Sequence, residues 1–370
     1  MALPTRNRRK GKKNKGAQSD VIHCPPEWDF PPPTGISAAT DTPSHVAKLL
    51  RPEDRRPPIN EVFVHPKVHE RLSIIPDVIE PRVNHTLQNI RIFSQNGVFI
   101  NAENHIIGDL TPDFKPRQTH KHRLLRYTGL PPVKPLKGKG FAFVSAASWK
   151  NYFHWLIDTL PTARFIDWDE YDYILAPTCR RYQLLSYEAL GIPMEKISPL
   201  EHHSHYALEQ VSYIPRGAVA LIPDEAVSYL RGLFGSEPHP TPSRKLYLSR
   251  NDGWRRRITN EDEVIAALEP LGFEHIVIGS RTIREQAELF SQASHVVGPH
   301  GAAMTNMVFA GSQTKLIECF SGTFMFPHFY HLCATLGQPY AAHWTENPDD
   351  DPDGPIDLDS FMPLVSQILQ

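Results

Sequence analysis

The sequence predicts an α/β protein, and three observations carry the prediction. Residues 244 to 343 alternate strand and helix patterns, the order expected of a parallel sheet wrapped by helices. The stretch Ser294 to Asn306 reads as a buried strand, a glycine-bounded turn and the start of a helix. A chain of 370 residues is long enough for two domains, each with a core of its own.

The first fifteen residues carry seven basic side chains, Arg6, Arg8, Arg9, Lys10, Lys12, Lys13 and Lys15, and no acid. Such a block reads as a disordered tail, with attraction to an anionic membrane or to nucleic acid as its functional reading. Prolines then crowd residues 24 to 58, so 1–58 is assigned to a tail and an extended arm. From 59 to 235 the pattern becomes that of a first α/β region. Asn96-Gly97 between two apolar runs predicts a hairpin. Phe141 to Ser145 predicts a strand, followed by a helix from about Asn151. Tyr171 to Ala176 is the next strand, Arg180 to Leu190 a helix stopped by Gly191, and Leu208 to Ile214 a further strand. The proline-rich Ser236 to Pro242 is the expected hinge.

The second region is assigned to 243–345. Lys245 to Leu248 is its first strand. Asn260, with Glu263 three residues on, predicts a capped helix closed by Gly272. The strand His275 to Ile278 precedes Thr282-Ile283-Arg284-Glu285, a capping box that opens a helix through Ala293. His295 to Val297 and Thr314 to Phe320 are further strands, and 346–370 is left as an acidic loop and a terminal helix.

Chemistry concentrates where these strands end. The first amides of a helix have no intrahelical partner, so the turn Gly298-Pro299-His300-Gly301-Ala302 is suited to hold an anion such as a diphosphate. An ordinary tight connection is the alternative. Arg250, Arg255, Arg256 and Arg257 lie within eight residues at a strand exit, a pattern that suits phosphate oxygens or a plain basic loop. Glu318 near a strand's end either accepts hydrogen bonds from ribose hydroxyls or is an ion-paired surface carboxylate.

The blocks S-R-N-D-x-W-R-R-R-I-x-N-E, E-Q-x-E-L-F-x-x-A, V-V-G-P-H-G-A-A-M-T-N-M-V-F and L-I-E follow one another in this order. With Asn151-Tyr152-Phe153-His154-Trp155-Leu156-Ile157-Asp158-Thr159-Leu160-Pro161 they resemble glycosyltransferase family 61, over roughly residues 60 to 325. The resemblance implies a GT-B fold, two Rossmann-like domains facing a cleft, and inverting transfer from a nucleotide sugar, with UDP as the default nucleotide. It places Arg250, Arg257, Asn260, Glu261, Gly298, His300, Gly301, Ala302, Asn306 and Glu318 on the donor. His154 and Asp158, four apart and on one helical face, become the catalytic pair. Which of the two is the base stays open, as does the reading of His154 as a packed residue. Tyr152 and Trp155 are core or a sugar platform, with core preferred for Trp155.

The remaining signals exclude more than they assign. A net charge of -2 announces no polyanionic partner, and no nucleic acid is expected. Cys24, Cys179, Cys319 and Cys333 have no pairing pattern, which suits reduced thiols in a cytosol. No apolar run approaches the ~18 residues of a membrane span. No metal is expected. Asp167-Trp168-Asp169 precedes a strand, where a metal-binding D-x-D should end one. Asp349, Asp351, Asp353 and Gly354 start an EF-hand-like loop that lacks its closing glutamate. His202, His203 and His205 read as a polar turn. The expected setting is a cytoplasmic enzyme of surface polysaccharide synthesis, with a nucleotide-sugar donor and a glycan acceptor. An epimerase of similar fold and a noncatalytic nucleotide- or glycan-binding protein are the rivals.

Overall fold

The apolar runs form one mixed sheet and one wholly parallel sheet in the computed structural model, which describes residues 21–55, 58, 60–72, 78–111, 122–217, 221–253, 255–347 and 353–370. The basic block 1–15 and Asp349 and Asp351 lie outside the described residues. Along the chain the strands are β1 Gly35–Ser37, β2 Val46–Arg51, β3 Asp54–Arg55, β4 Glu61–Val64, β5 Val78–Ile79, β6 Arg82–Phe93, β7 Val98–Ile100, β8 His105–Ile107 and β9 Lys134–Ala142. They continue as β10 Tyr173–Ala176, β11 Ile197–Pro199, β12 His205–Tyr213, β13 Arg244–Leu248, β14 Phe273–Ile276, β15 Ala293–Pro299, β16 Lys315–Ser321 and β17 Tyr340–Thr345. The α-helices are α1 Pro66–Leu72, α2 Arg181–Ala189, α3 Asp224–Phe234, α4 Glu261–Leu268, α5 Ile283–Ser291, α6 His328–Leu336 and α7 Leu358–Leu369.

The first sheet has the order β1-β8-β7-β6-β12-β9-β10-β11, with β2 also beside β6. Only β12, β9, β10 and β11 form a parallel run. β6 pairs antiparallel with β12, β7 and β2, so this half is not the plain Rossmann-like unit expected. Connection length accounts for the β6–β7 pair. Short links such as Ser94 to Gly97, where Gly97 adopts a φ of 72°, can join only antiparallel strands.

The second sheet runs β14-β13-β15-β16-β17-β4 and is parallel throughout. Its capping box behaves as read: Thr282 Oγ1 accepts from the Glu285 amide, and the Glu285 carboxylate accepts from the Thr282 amide. Asn260 precedes α4, yet its side chain caps nothing there. Its amide group instead donates to the Ile356 carbonyl and accepts from the Ile356 amide, tying down the chain before α7. β4 and α1, read as part of the first region, join this sheet at β17. Ser236 to Pro242 is also held to the second half, with the His239 amide donating to Ser291 and Ser236 Oγ to Ala287.

One apolar core continues from the first region into the second, with Phe143, Trp155 and Leu156 in the same cluster as Met304, Met307 and Phe309. Polar ties cross the same boundary. Tyr152 donates its hydroxyl to Asn306 Oδ1 at 2.8 Å, and Arg231 donates to the carbonyls of Val308 and Ala310.

Candidate active site

The parallel sheet fixes where a ligand can sit. Its strand order reverses between β13 and β15, because the chain leaves β13 for β14 on one side and returns to β15 on the other. Ligands bind beyond the carboxyl ends of strands at such a switch point. The segments leaving it are Ser249–Arg257 and His300–Ala302.

Arg250 folds the first of these back on itself, donating from Nε to the Arg255 carbonyl at 3.0 Å. Gly301 makes room for the same guanidinium, since a Cβ there would lie 2.0 Å from Arg250 Nη1. Arg256 follows with a φ of 60°, in the left-handed region that a non-glycine residue occupies only when its surroundings hold it there. The turn lays its guanidinium over the Phe324 ring, 4.5 Å from the centroid, and leaves Nε buried without a partner. Burial, with Arg250 beside it, pulls this guanidinium down to about 10, so it is charged at neutral pH.

On the second segment the His300 amide donates to the Cys319 carbonyl. Its ring is pinned through Nδ1 to Glu318 Oε1, and Tyr340 donates its hydroxyl to Glu318 Oε2 at 2.5 Å. Phe320 stacks on the imidazole, with centroids 5.4 Å apart. With Nδ1 committed, His300 is left with Nε2 as its free ring nitrogen.

The first region supplies the opposite wall. An α-helix through Leu160 would drive the ring of Pro161 against the Ile157 carbonyl. The chain instead takes one π-helical turn, His154–Thr159, and then a 3-10 segment, Leu160–Phe165. Such widened turns recur at functional sites. Ser145 and Thr159 hydroxyls donate to the His154 carbonyl, which the irregular winding frees. Asp158 Oδ2 lies 2.7 Å from His154 Nδ1 and accepts from Arg216 Nη1 at 3.2 Å. The Asp158 side chain is 4% exposed and His154 16%, so of the two only the imidazole reaches the cleft.

Between the walls lies a cavity of about 180 Å³ with His154, Arg256, His300, Gly301 and His328 on its lining. His328 opens α6, and its ring sits between the other two imidazoles, 6.4 Å from His154 and 6.1 Å from His300. Burial, with His300 and His154 nearby, lowers it to about 3, so it is neutral. Phe326 stacks on it and Phe153 closes the first-region side.

Residues 152–317 match the family described as Glycosyltransferase 61. They span both walls of this cavity. The chain is also similar to the Beta-1,2-xylosyltransferase RCN11 of Oryza sativa subsp. japonica, 32% identical over 99 residues. That alignment covers 25% of this chain and spans 17% of the rice protein's length.

The motif residues divide into those that meet the cleft and those that support it. His154, His300, Gly301 and Ala302 line the cavity. Glu318, expected at ribose hydroxyls, is 0% exposed, with both oxygens taken by His300 and Tyr340. Glu261 is likewise buried, accepting from Tyr247 and Ser249 beneath the end of β13. Asn306 is spent on Tyr152, Gln286 and the Ala303 carbonyl. Gly298 serves packing, because a Cβ would meet the Leu248 carbonyl at 2.8 Å. Arg257 bonds Asp353, is 54% exposed, and lines a smaller neighbouring cavity with Arg256 and His300. Arg256 lines both cavities. Arg256 and His328 are the residues that sequence reasoning missed. The arginine run contained the first, and the second follows Pro327 in the loop leaving β16, at the same sheet edge.

The other candidates fall elsewhere. Trp155 is core, with Nε1 donating to Ser186. Asp167 caps the Asp169 amide in a 3-10 turn ahead of β10. His205 is buried at the start of β12, bonded to the Pro131 carbonyl, and is not part of a polar turn. Among the described residues no three His, Cys, Asp or Glu side chains converge as a metal would need. No helix among them is long and apolar enough to cross a membrane.

Proposed function

We propose that the protein is an inverting, metal-independent glycosyltransferase of GT-B arrangement. It moves a sugar from a nucleotide-sugar donor, UDP-linked by default, to a glycan hydroxyl in surface polysaccharide synthesis. The setting proposed is cytoplasmic, with the basic residues 1–15 drawn to anionic lipid. One observation carries the reading: His154, oriented by a buried carboxylate, faces Arg256 and His300 across a single cavity.

In this reading His154 is the base. Its Nδ1–H stays bonded to Asp158, and Nε2 takes the proton of the acceptor hydroxyl as that oxygen attacks the anomeric carbon. The bond from the anomeric carbon to the diphosphate oxygen breaks on the opposite face, so configuration inverts. The electron pair leaves with the nucleoside diphosphate. Arg256, Arg250 and the amides after His300 meet the charge that develops there, in a partly dry site where such contacts act strongly. Asp158 stabilises the imidazolium that forms, while Arg216 keeps that carboxylate oriented.

The test is a thermal-shift screen of nucleotide sugars, UDP-xylose among them because of the rice protein's name, followed by turnover with candidate glycans. A donor at ~100 Kd should stabilise by ~2.7 kcal/mol. The product should carry the anomeric configuration opposite to the donor's. His154→Ala should abolish transfer while the donor still binds. Interconversion of the sugar without an acceptor would make the protein an epimerase, and binding without turnover would make it a noncatalytic receptor. Either result overturns the proposal.

A further inference from the structure

Behind Asp158, at the carboxyl edge of β9 and β12, four arginines converge. Strand register brings three of them into one row. Arg51 on β2 is the direct cross-strand partner of Arg82 on β6. His85 of β6 pairs with Tyr213 of β12, so Arg82 lies level with Arg216 just beyond that strand. Arg82 also packs against the backbone there, since a Cβ on Gly217 would meet its Nη1 at 2.1 Å. Arg164 joins from the 3-10 segment after Asp158 and feels the charges of both Arg82 and Arg51.

Like charges directly opposite on neighbouring strands repel, so the row requires negative charge. The protein supplies only part of it. Arg216 is bonded to Asp158, and Arg51 to Glu225 at 2.7 Å. Arg82 is 7% exposed, and its Nη1 is buried without a hydrogen-bond partner. Arg164 gives Nη1 to the Pro161 carbonyl, while its Nε and Nη2 are buried and unpartnered. Asp158 and Glu80 attract Arg82 and Glu225 attracts Arg164, yet each buried donor left without a hydrogen-bond partner still carries its desolvation penalty. Desolvation accordingly outweighs every nearby charge on Arg82.

From this geometry we infer an oxyanion-binding site formed by Arg82 and Arg164 beside Asp158, taking a carboxylate or phosphate. It rests on the proposed transferase for its use: the site adjoins the base on the acceptor side, so its natural occupant is the acidic group of an anionic acceptor sugar. A free inorganic oxyanion carries the same chemistry. Through Arg216 and Asp158 the site is linked to the imidazole that takes the acceptor proton. Carboxylate or phosphate bonded to both arginines would satisfy their orphaned donors and offset the repulsion between Arg51 and Arg82.

The probe is inorganic phosphate exchanged for chloride at constant ionic strength, with saturating UDP present to occupy the donor side. The readout is the melting temperature of the full chain, which needs no turnover. Phosphate should stabilise the wild type. Arg82→Gln and Arg164→Gln should each weaken its affinity about 10–100-fold, the loss expected for a charge-assisted hydrogen bond. Arg256→Gln should leave it unchanged. Because Arg164 is only half-buried, its variant keeps the test alive if Arg82→Gln fails to fold. A second arm compares KM for an acceptor ending in a uronic acid or sugar phosphate with KM for its neutral counterpart. A wild-type preference that collapses in Arg164→Gln assigns the site to the acceptor. A preference that survives, with phosphate affinity still lost, assigns it to a free oxyanion. Phosphate affinity equal in the wild type and both variants, or lost only in Arg256→Gln, overturns the site. Loss of transferase activity alone would leave the phosphate result standing, so the two readings fail separately.

Discussion

If His154 is the base, as proposed, replacing Asp158 by asparagine isolates what its orientation is worth. The change keeps the side-chain shape in a site that is 4% exposed, so the damage is electrostatic. In the protein one oxygen, Oδ2, accepts from both His154 Nδ1 and Arg216 Nη1. An amide cannot reproduce this without a fault. If its oxygen faces both donors, His154 keeps its tautomer but loses the charge that stabilises the imidazolium. If its NH2 faces His154, the ring proton moves to Nε2 and the nitrogen facing the acceptor can no longer accept. Orienting carboxylates of this kind are worth up to ~10⁴ in rate, so kcat should fall about 10²–10⁴-fold, or roughly 3–5 kcal/mol of barrier. Stability should fall less, by about 1–3 kcal/mol for the charged hydrogen bonds, because Arg216 is partly exposed and can turn to water. Donor affinity should stay within about threefold, since Asp158 lies in the opposite wall (~0.6 kcal/mol, near RT). The assay is kcat at saturating donor with nucleotide Kd from calorimetry. A variant with wild-type kcat, or one whose rate loss is matched by equal loss of donor binding, would refute the role.

Three further outcomes follow from the same geometry. Arg256→Gln should weaken UDP binding by about 1.5–3 kcal/mol, as a lost charged contact would, whereas Arg257→Gln, where the native side chain bonds Asp353, should change Kd less than twofold; calorimetry on both decides it, and the reverse order would return Arg257 to the site. Chelation with EDTA should leave turnover intact, and a loss restored by manganese or magnesium would show that arginine charge does not suffice. Acid should unfold the protein through His205 and His343, which burial lowers to about 4. Their folded values lie below the unfolded ~6.5, so the unfolded chain binds the extra protons and stability falls as pH drops through that window, by roughly 2 kcal/mol per histidine between pH 7 and 5. Melting temperatures that do not change over this range would show that neither histidine is buried neutral.

Local chemistry made part of this site legible in the sequence. The helical spacing of His154 and Asp158 put them on one face, and Thr282 to Glu285 could hardly be anything but a cap. Partners set by long-range pairing were not legible. Glu318 faces Tyr340 only because β16 and β17 are neighbours, and that pairing turns an expected ribose contact into a support for His300. The choice between Arg256 and Arg257 hangs on one left-handed residue, which nothing in a run of three arginines reveals. Asn306 looked like a loop donor because its partner, Tyr152, stands 154 residues away. The first sheet departs from the expected pattern for a similar reason: one asparagine-glycine turn announced a hairpin, but not that the hairpin would extend a parallel sheet.

The two walls use the same device with different neighbours, and the difference bears on their roles. Each presents an imidazole whose Nδ1 is held by a buried carboxylate, which leaves Nε2 as the working nitrogen. At Asp158 the second partner is Arg216, a cation. At Glu318 it is the Tyr340 hydroxyl, whose own ionisation is pushed up by burial and by Glu318 itself. Glu318 is thus bonded by His300 and Tyr340 and not by an arginine, while Arg256 lies close enough to interact with it through charge. A carboxylate so placed supports the His300 ring and draws Arg256 toward the same wall. Asp158 shares one oxygen between Arg216 and His154, and so fixes both the carboxylate and the ring that it orients. In the proposed reading the first wall works through the oriented His154, and the second through Arg256 and the amides after His300, with Glu318 holding the His300 ring in place.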